Sequence, residues 1–277
     1  MDARFQPAQA ALARGDIEQL STLLTLDPQL ATARSQQSHP TILQCLVLTM
    51  PPVDSLEELI GLLADQGAEL TDPLVAACGI DNVRAITKLL DLGARIEGNG
   101  RWSPLEEALY WGNEAAVSLL LKRGAVVHNL RTAAALGDMT WIASCFNDSG
   151  ALTTAAGEIA SPFVKLPIPE EVRHDPQQIL GNALVFAAFW GRTEALDYLL
   201  DRGARVNFIP AGFDFAGTPL HYAALGGRRS MVDHLLLRGA DPAVVDTKIG
   251  KLAEDWAEHG GHADLAAHLR LVRDQNG

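Results

Sequence analysis

The residues of this chain that could do chemistry are its histidines, cysteines and paired carboxylates. His259 and His262 have an HxxH spacing, which can place two imidazoles on one side of a helix for a metal ion, with Glu258 and Asp264 near. Gly260 and Gly261 lie between them, so the helix is expected to end there and leave both rings as solvated cap residues. Glu106 with Glu107 and Glu170 with Glu171 are adjacent pairs. Neighbours in sequence do not face each other on a helix, so neither pair is an acid/base couple by itself. Cys45, Cys78 and Cys145 are far apart and fall on apolar helix faces, which argues against a disulfide framework or a clustered zinc site. The chain has no GxSxG, Walker A, HExxH or CxxC pattern. It is expected not to be an enzyme, with no catalytic residue, no metal and no cofactor.

Those side chains need elements to position them, and the composition supplies the material. Of 277 residues, 48% are apolar, enough for a continuous core and too many for a disordered chain. The longest apolar run, from Ile42 to Met50, is interrupted by Gln44 and Thr49 and stopped by Pro51 and Pro52. It falls far short of the roughly 20 residues of a membrane span. Met1-Asp2-Ala3-Arg4-Phe5 lacks the basic and apolar regions of a secretory signal, so a cytoplasmic protein is expected, with no membrane segment. A formal net charge of −12 disfavours nucleic acid and anionic lipid, which reward Lys and Arg. A neutral or basic protein partner fits better, bound to a monomer.

The strongest signal is self-similarity. Thr218-Pro219-Leu220-His221-Tyr222-Ala223-Ala224 is followed by Gly227, by Met231-Val232 and Leu235-Leu236, and by Gly239-Ala240-Asp241. Ser103-Pro104-Leu105 runs in the same frame through Gly112 to Gly124-Ala125, and Asn182-Ala183-Leu184 through Gly191 to Gly203-Ala204. In each, the first glycine precedes the second by twelve residues. Weaker copies start at Asp72-Pro73-Leu74, His128-Asn129-Leu130 and Lys251-Leu252, and two N-terminal stretches keep the helical period alone. Thr-Pro and Ser-Pro place a hydroxyl cap and a preset φ at a helix start. Alanine pairs let neighbouring helices approach closely, and glycine before the GA turn suits a left-handed C-terminal cap. Asp16, Asn113 and Asp138, each after a glycine, can cap the second helix of a pair.

This pattern resembles the ankyrin repeat. The resemblance implies an all-α solenoid of about eight helix-turn-helix units with hairpin fingers between them. Within a single domain over 1–277, it sets degenerate units at 7–70, repeats at 72–153 and 182–242, and a capping unit at 251–274. It also implies that His221 bonds backbone between neighbouring repeats. Val185, Glu106, Arg131 and Glu254 take that position elsewhere, which leaves the network incomplete.

The frame stops over 154–180, where Pro162, Pro167, Pro169 and Pro176 leave no helical period, so this is expected to be one long non-repeat insertion. The finger at 206–217 is long and carries Phe208, Phe213 and Phe215, more apolar than a solvated turn requires. Phe163, Val164 and Leu166 of the insertion are expected to cover these rings. Trp111 and Trp190 share one repeat position, with Tyr110 and Phe189 just ahead of them, where the family places variable contacts in its concave groove. The leading expectation is therefore a scaffold or adaptor that holds a partner protein through Tyr110, Trp111, Phe189, Trp190, Phe208, Phe213 and Phe215. One alternative is a small-molecule site or atypical enzyme between insertion and groove, using His174, Asp175, Asp214 and His221. Another is an inhibitory, antitoxin-like partner protein.

Overall fold

A computed structural model describes residues 4–35, 40–49, 54–162, 168–214 and 216–276, so that Phe163, Val164, Leu166 and Phe215 lie outside the described residues. The chain is all-α, and among the described residues no strand forms beyond one antiparallel bridge between Phe146 and Leu152. It divides into two compact units, Met1–Val126 and Val127–Gly277.

The first unit contains α1 (Gln6–Arg14), α2 (Ile17–Leu26), α3 (Ile42–Thr49), α4 (Leu56–Asp65), α5 (Thr71–Cys78), α6 (Val83–Asp91), α7 (Pro104–Trp111) and α8 (Glu114–Lys122). Helices α1, α3, α5 and α7 pack in one row, and α2, α4, α6 and α8 in a second row over them. Helices this short are marginal alone, so stacking must supply their stability. Local chemistry still sets where they start. The Ser103 hydroxyl accepts from the Glu106 N–H at 3.1 Å while the Glu106 carboxylate accepts from the Ser103 N–H at 2.8 Å, a reciprocal cap. Thr41 and Gln44 do the same at α3.

The second unit contains α9 (Leu130–Leu136), α10 (Met139–Ser144), α11 (Glu170–Arg173), α12 (Pro176–Phe189), α13 (Thr193–Asp201), α14 (Pro219–Leu225), α15 (Arg229–Leu237), α16 (Ala253–His259) and α17 (Ala263–Asn276). Helices α9, α12, α14 and α16 form its inner row. The alanine pairs Ala133-Ala134, Ala187-Ala188 and Ala223-Ala224 are fully buried between them. Helix α12 corrects the expected insertion boundary, because it begins at Pro176 rather than Asn182. Pro176 is not a breaker here. It occupies the first turn, where its missing N–H costs nothing, and the Asp175 carboxylate caps the helix by accepting from the Gln178 N–H. Described residues of the insertion are tied down: Arg131 donates to the Glu158 carbonyl at 2.6 Å, and Ile159 and Ile168 join the core.

Gly112, Gly124, Gly191, Gly203, Gly227 and Gly239, the six phase glycines, all have positive φ, as the frame predicts. Two of them separate the reasons for glycine. A Cβ on Gly239 would meet nothing within 4 Å, so only its φ of 86° matters. A Cβ on Gly227 would lie 2.4 Å from the His262 ring as well. Gly239→Ala is expected to cost about 1–2 kcal/mol, and Gly227→Ala distinctly more, as read from urea midpoints. Equal costs would mean that the His262 ring moves freely aside.

The residue after the glycine slot does more than cap its own helix. Asn82 donates to the Val47 carbonyl at 3.1 Å and Asn113 to that of Cys78 at 2.7 Å, each at the end of the preceding inner helix. In the second unit Arg192 donates to the Ala135 carbonyl and Arg228 to that of Phe189. These bonds satisfy helix-end carbonyls that lack an intrahelical partner. Asp16 and Asp138 cap as expected, but the Asn113 side chain does not. Instead, Asp81 of the preceding repeat accepts from the Ala116 N–H at 2.7 Å. Asp81 itself holds a φ of 56°.

Candidate functional site

In the first unit, the C-terminal turn of α7 gathers the aromatic residues. Glu107 and Trp111 are four apart and share a face, so the Trp111 indole N–H reaches Glu107 Oε1 at 2.8 Å. Trp102, in the loop before α7, donates its indole N–H to Oε2 of the same carboxylate at 2.6 Å. Tyr110 meets both indoles edge-on, with ring centroids 6.0 Å from Trp102 and 5.1 Å from Trp111. Gly79, at the end of α5, makes room for this: a Cβ there would lie 2.8 Å from Glu107 Oε1. Burial pushes the Glu107 carboxyl above its ordinary range, and the indole donors from Trp111 and Trp102 offset only part of that. Trp111 remains 48% exposed, and Ile80 in the turn after α5 is also exposed.

The aromatic residues of the second unit are placed differently. Trp190 is buried at 8% exposure and Phe213 at 6%, so neither presents a ring as standing surface. Phe213 packs on Phe186 and Tyr222, with centroids at 5.9 and 5.1 Å. Phe208 is half-buried over Gly181, where a Cβ would come within 2.6 Å of its ring, and it carries Arg205 on its face. Phe208 and Phe213 thus pack against residues of their own unit. Its tip at Gly212 lies under the Ala160 carbonyl and the Ile168 side chain. Phe189 is half-buried, edge-on to Trp190 and Tyr222.

The polar residues named for a pocket are each engaged elsewhere. Asp175 caps α12, His174 lies 3.5 Å from Glu158 and Glu170, and Asp214 pairs with Lys248. His221 is buried at the start of α14, where Nδ1 accepts from the Thr218 N–H at 3.2 Å. Its Nε2 is then the protonated nitrogen and donates to the Lys251 carbonyl at 3.1 Å, tying one repeat to the next. That is the bond the family resemblance implies. At the C-terminal unit the matching position is Asp255, not Glu254, because Gly261 rather than Gly260 takes the left-handed slot and Asp255 accepts from the Leu252 N–H. At α9 the capping pair is Asn129 with Thr132, so Arg131 is released to hold the insertion.

Burial lowers the pKa of His221 from its ordinary 6.5, against the opposing bond to Lys251 and the nearby Asp246 and Asp255 carboxylates. The unfolded chain therefore takes up the proton first. The stability His221 contributes is present above pH 6.5 and is lost as the pH falls from there toward its folded value. Urea midpoints of wild type and His221→Gln should converge as the pH is lowered from 7 to about 5. A constant difference would show that the ring is not held neutral.

His259 and His262 do fall on opposite sides of a helix end, since α16 stops at His259 and α17 starts at Ala263. Among the described residues no cluster of three or more His, Cys, Asp or Glu is placed to hold a metal ion. Cys78 and Cys145 are buried free thiols. No helix among the described residues is long and apolar enough to cross a membrane.

Residues 147–246, which hold the insertion and the helix pairs on either side of the phenylalanine finger, match the family model described as ankyrin repeats, in three copies. Residues 147–246 therefore carry ankyrin repeats, and within each of the two units the helices stack in pairs. Among solved structures it is similar to the crystal structure of the human ASB11 ankyrin repeat domain. The likeness is 19% identity over 95% of this chain and 97% of that chain, at a TM-score of 0.42. No curated protein sequence matches the chain.

The sequence points to Tyr110 and Trp111, offers Glu107 only as half of an adjacent acidic pair, and gives no sign of Trp102 or Gly79. The i,i+4 spacing of Glu107 and Trp111 was a visible signal for one bond. The Trp102 and Gly79 contributions arise from a loop and a preceding repeat, and periodicity carries no sign of them.

Proposed function

We propose that this protein is an interaction scaffold or adaptor that docks a partner protein on the aromatic ledge of its first unit, formed by Trp111, Tyr110 and Trp102. Ankyrin repeats generally mediate protein–protein interaction. What supports the ledge in particular is one observation: a half-exposed indole held in a single orientation by its hydrogen bond to Glu107. A large ring that is already ordered loses little freedom on binding, which is the property of an interface anchor. Trp190 shares its repeat position without its exposure and is not part of the ledge, while Phe189 and Phe208 offer smaller half-buried faces in the second unit.

The test is affinity capture from native cytosol with wild type, Trp111→Ala and, as a surface control, Leu121→Ala on α8. The reading expects a partner set that is lost with Trp111→Ala and kept with Leu121→Ala. Retention of every partner by Trp111→Ala removes the ledge from the interface.

A further inference from the structure

Arg123, Arg202 and Arg238 each stand directly before a Gly-Ala turn, and each is the C-cap residue of the second helix of its repeat. Two of them reach back to a carboxylate on the second helix of the preceding repeat. Arg123 meets Asp91 of α6 at 2.6 Å, and Arg238 meets Asp201 of α13 at 2.6 Å and also pairs with Asp197. Among the described residues Arg202 has no such partner. The helix before it, α10, has six residues where α13 has nine, so the turn that would carry a counterpart of Asp201 is missing. Counted from the left-handed glycines Gly137 and Gly191, Ala143 takes the place of Asp197 and Asn147 that of Asp201. The Asn147 side chain is turned into its own loop, where Oδ1 accepts from the Ser149 and Ala151 N–H groups at 3.0 Å. The chain carries 34 acidic residues against 22 Lys and Arg, so carboxylates are plentiful and are missing from this one position.

Two rings take their place. The Arg202 guanidinium carbon lies 3.4 Å from the centroid of the Tyr198 ring and 5.2 Å from that of Phe146. These rings meet edge-on at 5.7 Å and pack against the buried core of the unit, which fixes the platform. Stacking uses the face of a guanidinium and leaves its in-plane N–H donors for an acceptor, while the residue stays exposed. We propose that Arg202, held on Tyr198 and Phe146, is a docking point for a partner protein and takes an aspartate or glutamate side chain there, as Arg238 takes Asp197 and Asp201. The array itself names the occupant: at the two matching positions the acceptor is a carboxylate offered by a neighbouring helix. An arginine already held by its platform loses less freedom when that carboxylate arrives. This surface belongs to the second unit and is independent of the Trp111 reading.

The test uses the full chain and reads the ring resonances of Tyr198, one of three tyrosines. N-acetylglutamate α-amide is titrated beside the uncharged N-acetylglutamine amide and inorganic phosphate. The expected result is a saturable shift with the glutamate probe, weakened about fivefold in Arg202→Gln, the upper range for a solvent-exposed charge pair. Ala143→Glu is a second variant. Ala143 is exposed, so the substitution spares the core, and its carboxylate supplies in cis the acceptor that Asp197 gives Arg238. It should weaken the probe as Arg202→Gln does, whereas Ala143→Gln should not. Equal shifts from the glutamine probe, tighter binding of phosphate than of glutamate, or glutamate shifts unchanged in either Arg202→Gln or Ala143→Glu overturn the proposal. Capture from native cytosol then tests the protein partner. Proteins held by wild type and Ala143→Gln should be lost with both Arg202→Gln and Ala143→Glu, and a captured set indifferent to both variants overturns docking here. None of these variants alters Trp111, so failure of this proposal leaves the ledge reading standing.

Discussion

Asp246→Ala is expected to destabilise the second unit by about 3–5 kcal/mol, because it removes the acceptor of several donors at once and each buried donor left unsatisfied costs about 1–3 kcal/mol. Asp246 lies in the loop between α15 and α16 and is 2% exposed. Its Oδ1 accepts from the N–H groups of Lys248 at 2.9 Å and Ile249 at 2.7 Å. Its Oδ2 accepts from the Lys251 N–H at 3.1 Å and the buried Trp256 indole at 3.0 Å. The Trp256 ring in turn packs edge-on against His221 and Tyr222, with centroids 5.1 Å away in each case. Alanine would leave four donors without an acceptor and free the ring that fastens α16 to α14. Asp246→Asn should fall between, since an amide has one acceptor oxygen where the carboxylate has two. Urea unfolding of the three proteins at neutral pH checks the order. An alanine variant as stable as wild type would show that water replaces the carboxylate without loss.

The same residue carries a pH dependence of opposite sign to that of His221. Burial pushes the Asp246 carboxyl up, but the donors from Ile249, Trp256, Lys248 and Lys251 outweigh it, and its pKa lies below the ordinary 3.8. As the pH falls, the unfolded carboxyl takes its proton first. The stability due to Asp246 is therefore present above pH 3.8 and lost as the pH drops toward the folded value. The gap between wild type and Asp246→Ala should close under acid.

Trp111→Ala is expected to weaken partner capture by about thirtyfold, equivalent to about 2 kcal/mol, the threshold of an interface hot spot. The fold should hardly change, because the ring is 48% exposed and its main polar partner, Glu107, keeps the bond from Trp102. Helical circular dichroism and the urea midpoint should stay close to wild type while the partner's dissociation rate rises, as interface truncations act mostly on dissociation. A matched loss of stability and capture would assign Trp111 to the fold. Trp190→Ala makes the contrast: at 8% exposure it should lose stability in the manner of a core truncation.

That contrast between two equivalent positions is not written in the sequence. Trp111 and Trp190 occupy one repeat position, precede the same glycine and follow an aromatic residue, so nothing local separates them. Packing makes one a surface and the other core. The insertion shows a related limit: proline density predicts broken structure over 154–180, whereas Pro176 opens the longest helix of the inner row, almost wholly buried from Ile179 to Ala188. A helix that is apolar all round gives no amphipathic period to read. The His221 frame slipped by one residue at the C-terminal unit because two consecutive glycines, Gly260 and Gly261, could each have filled the left-handed slot.

The helix pairs, their caps and the left-handed glycines, and with them the repeat class, are legible in the linear sequence. These depend on interactions across three to five residues, such as Ser103 with Glu106 and Thr218 with His221, which a linear pattern displays directly. The tertiary structure alone decided which aromatic ring faces outward, that Glu107 sits between two indoles over Gly79, and that Asp246 fastens Trp256. It also decided the bonds from Asn82, Asn113 and Asp81 across 35 residues to a neighbouring repeat. Burial and long-range donors set those outcomes. They exist only once one helix pair has stacked on the next.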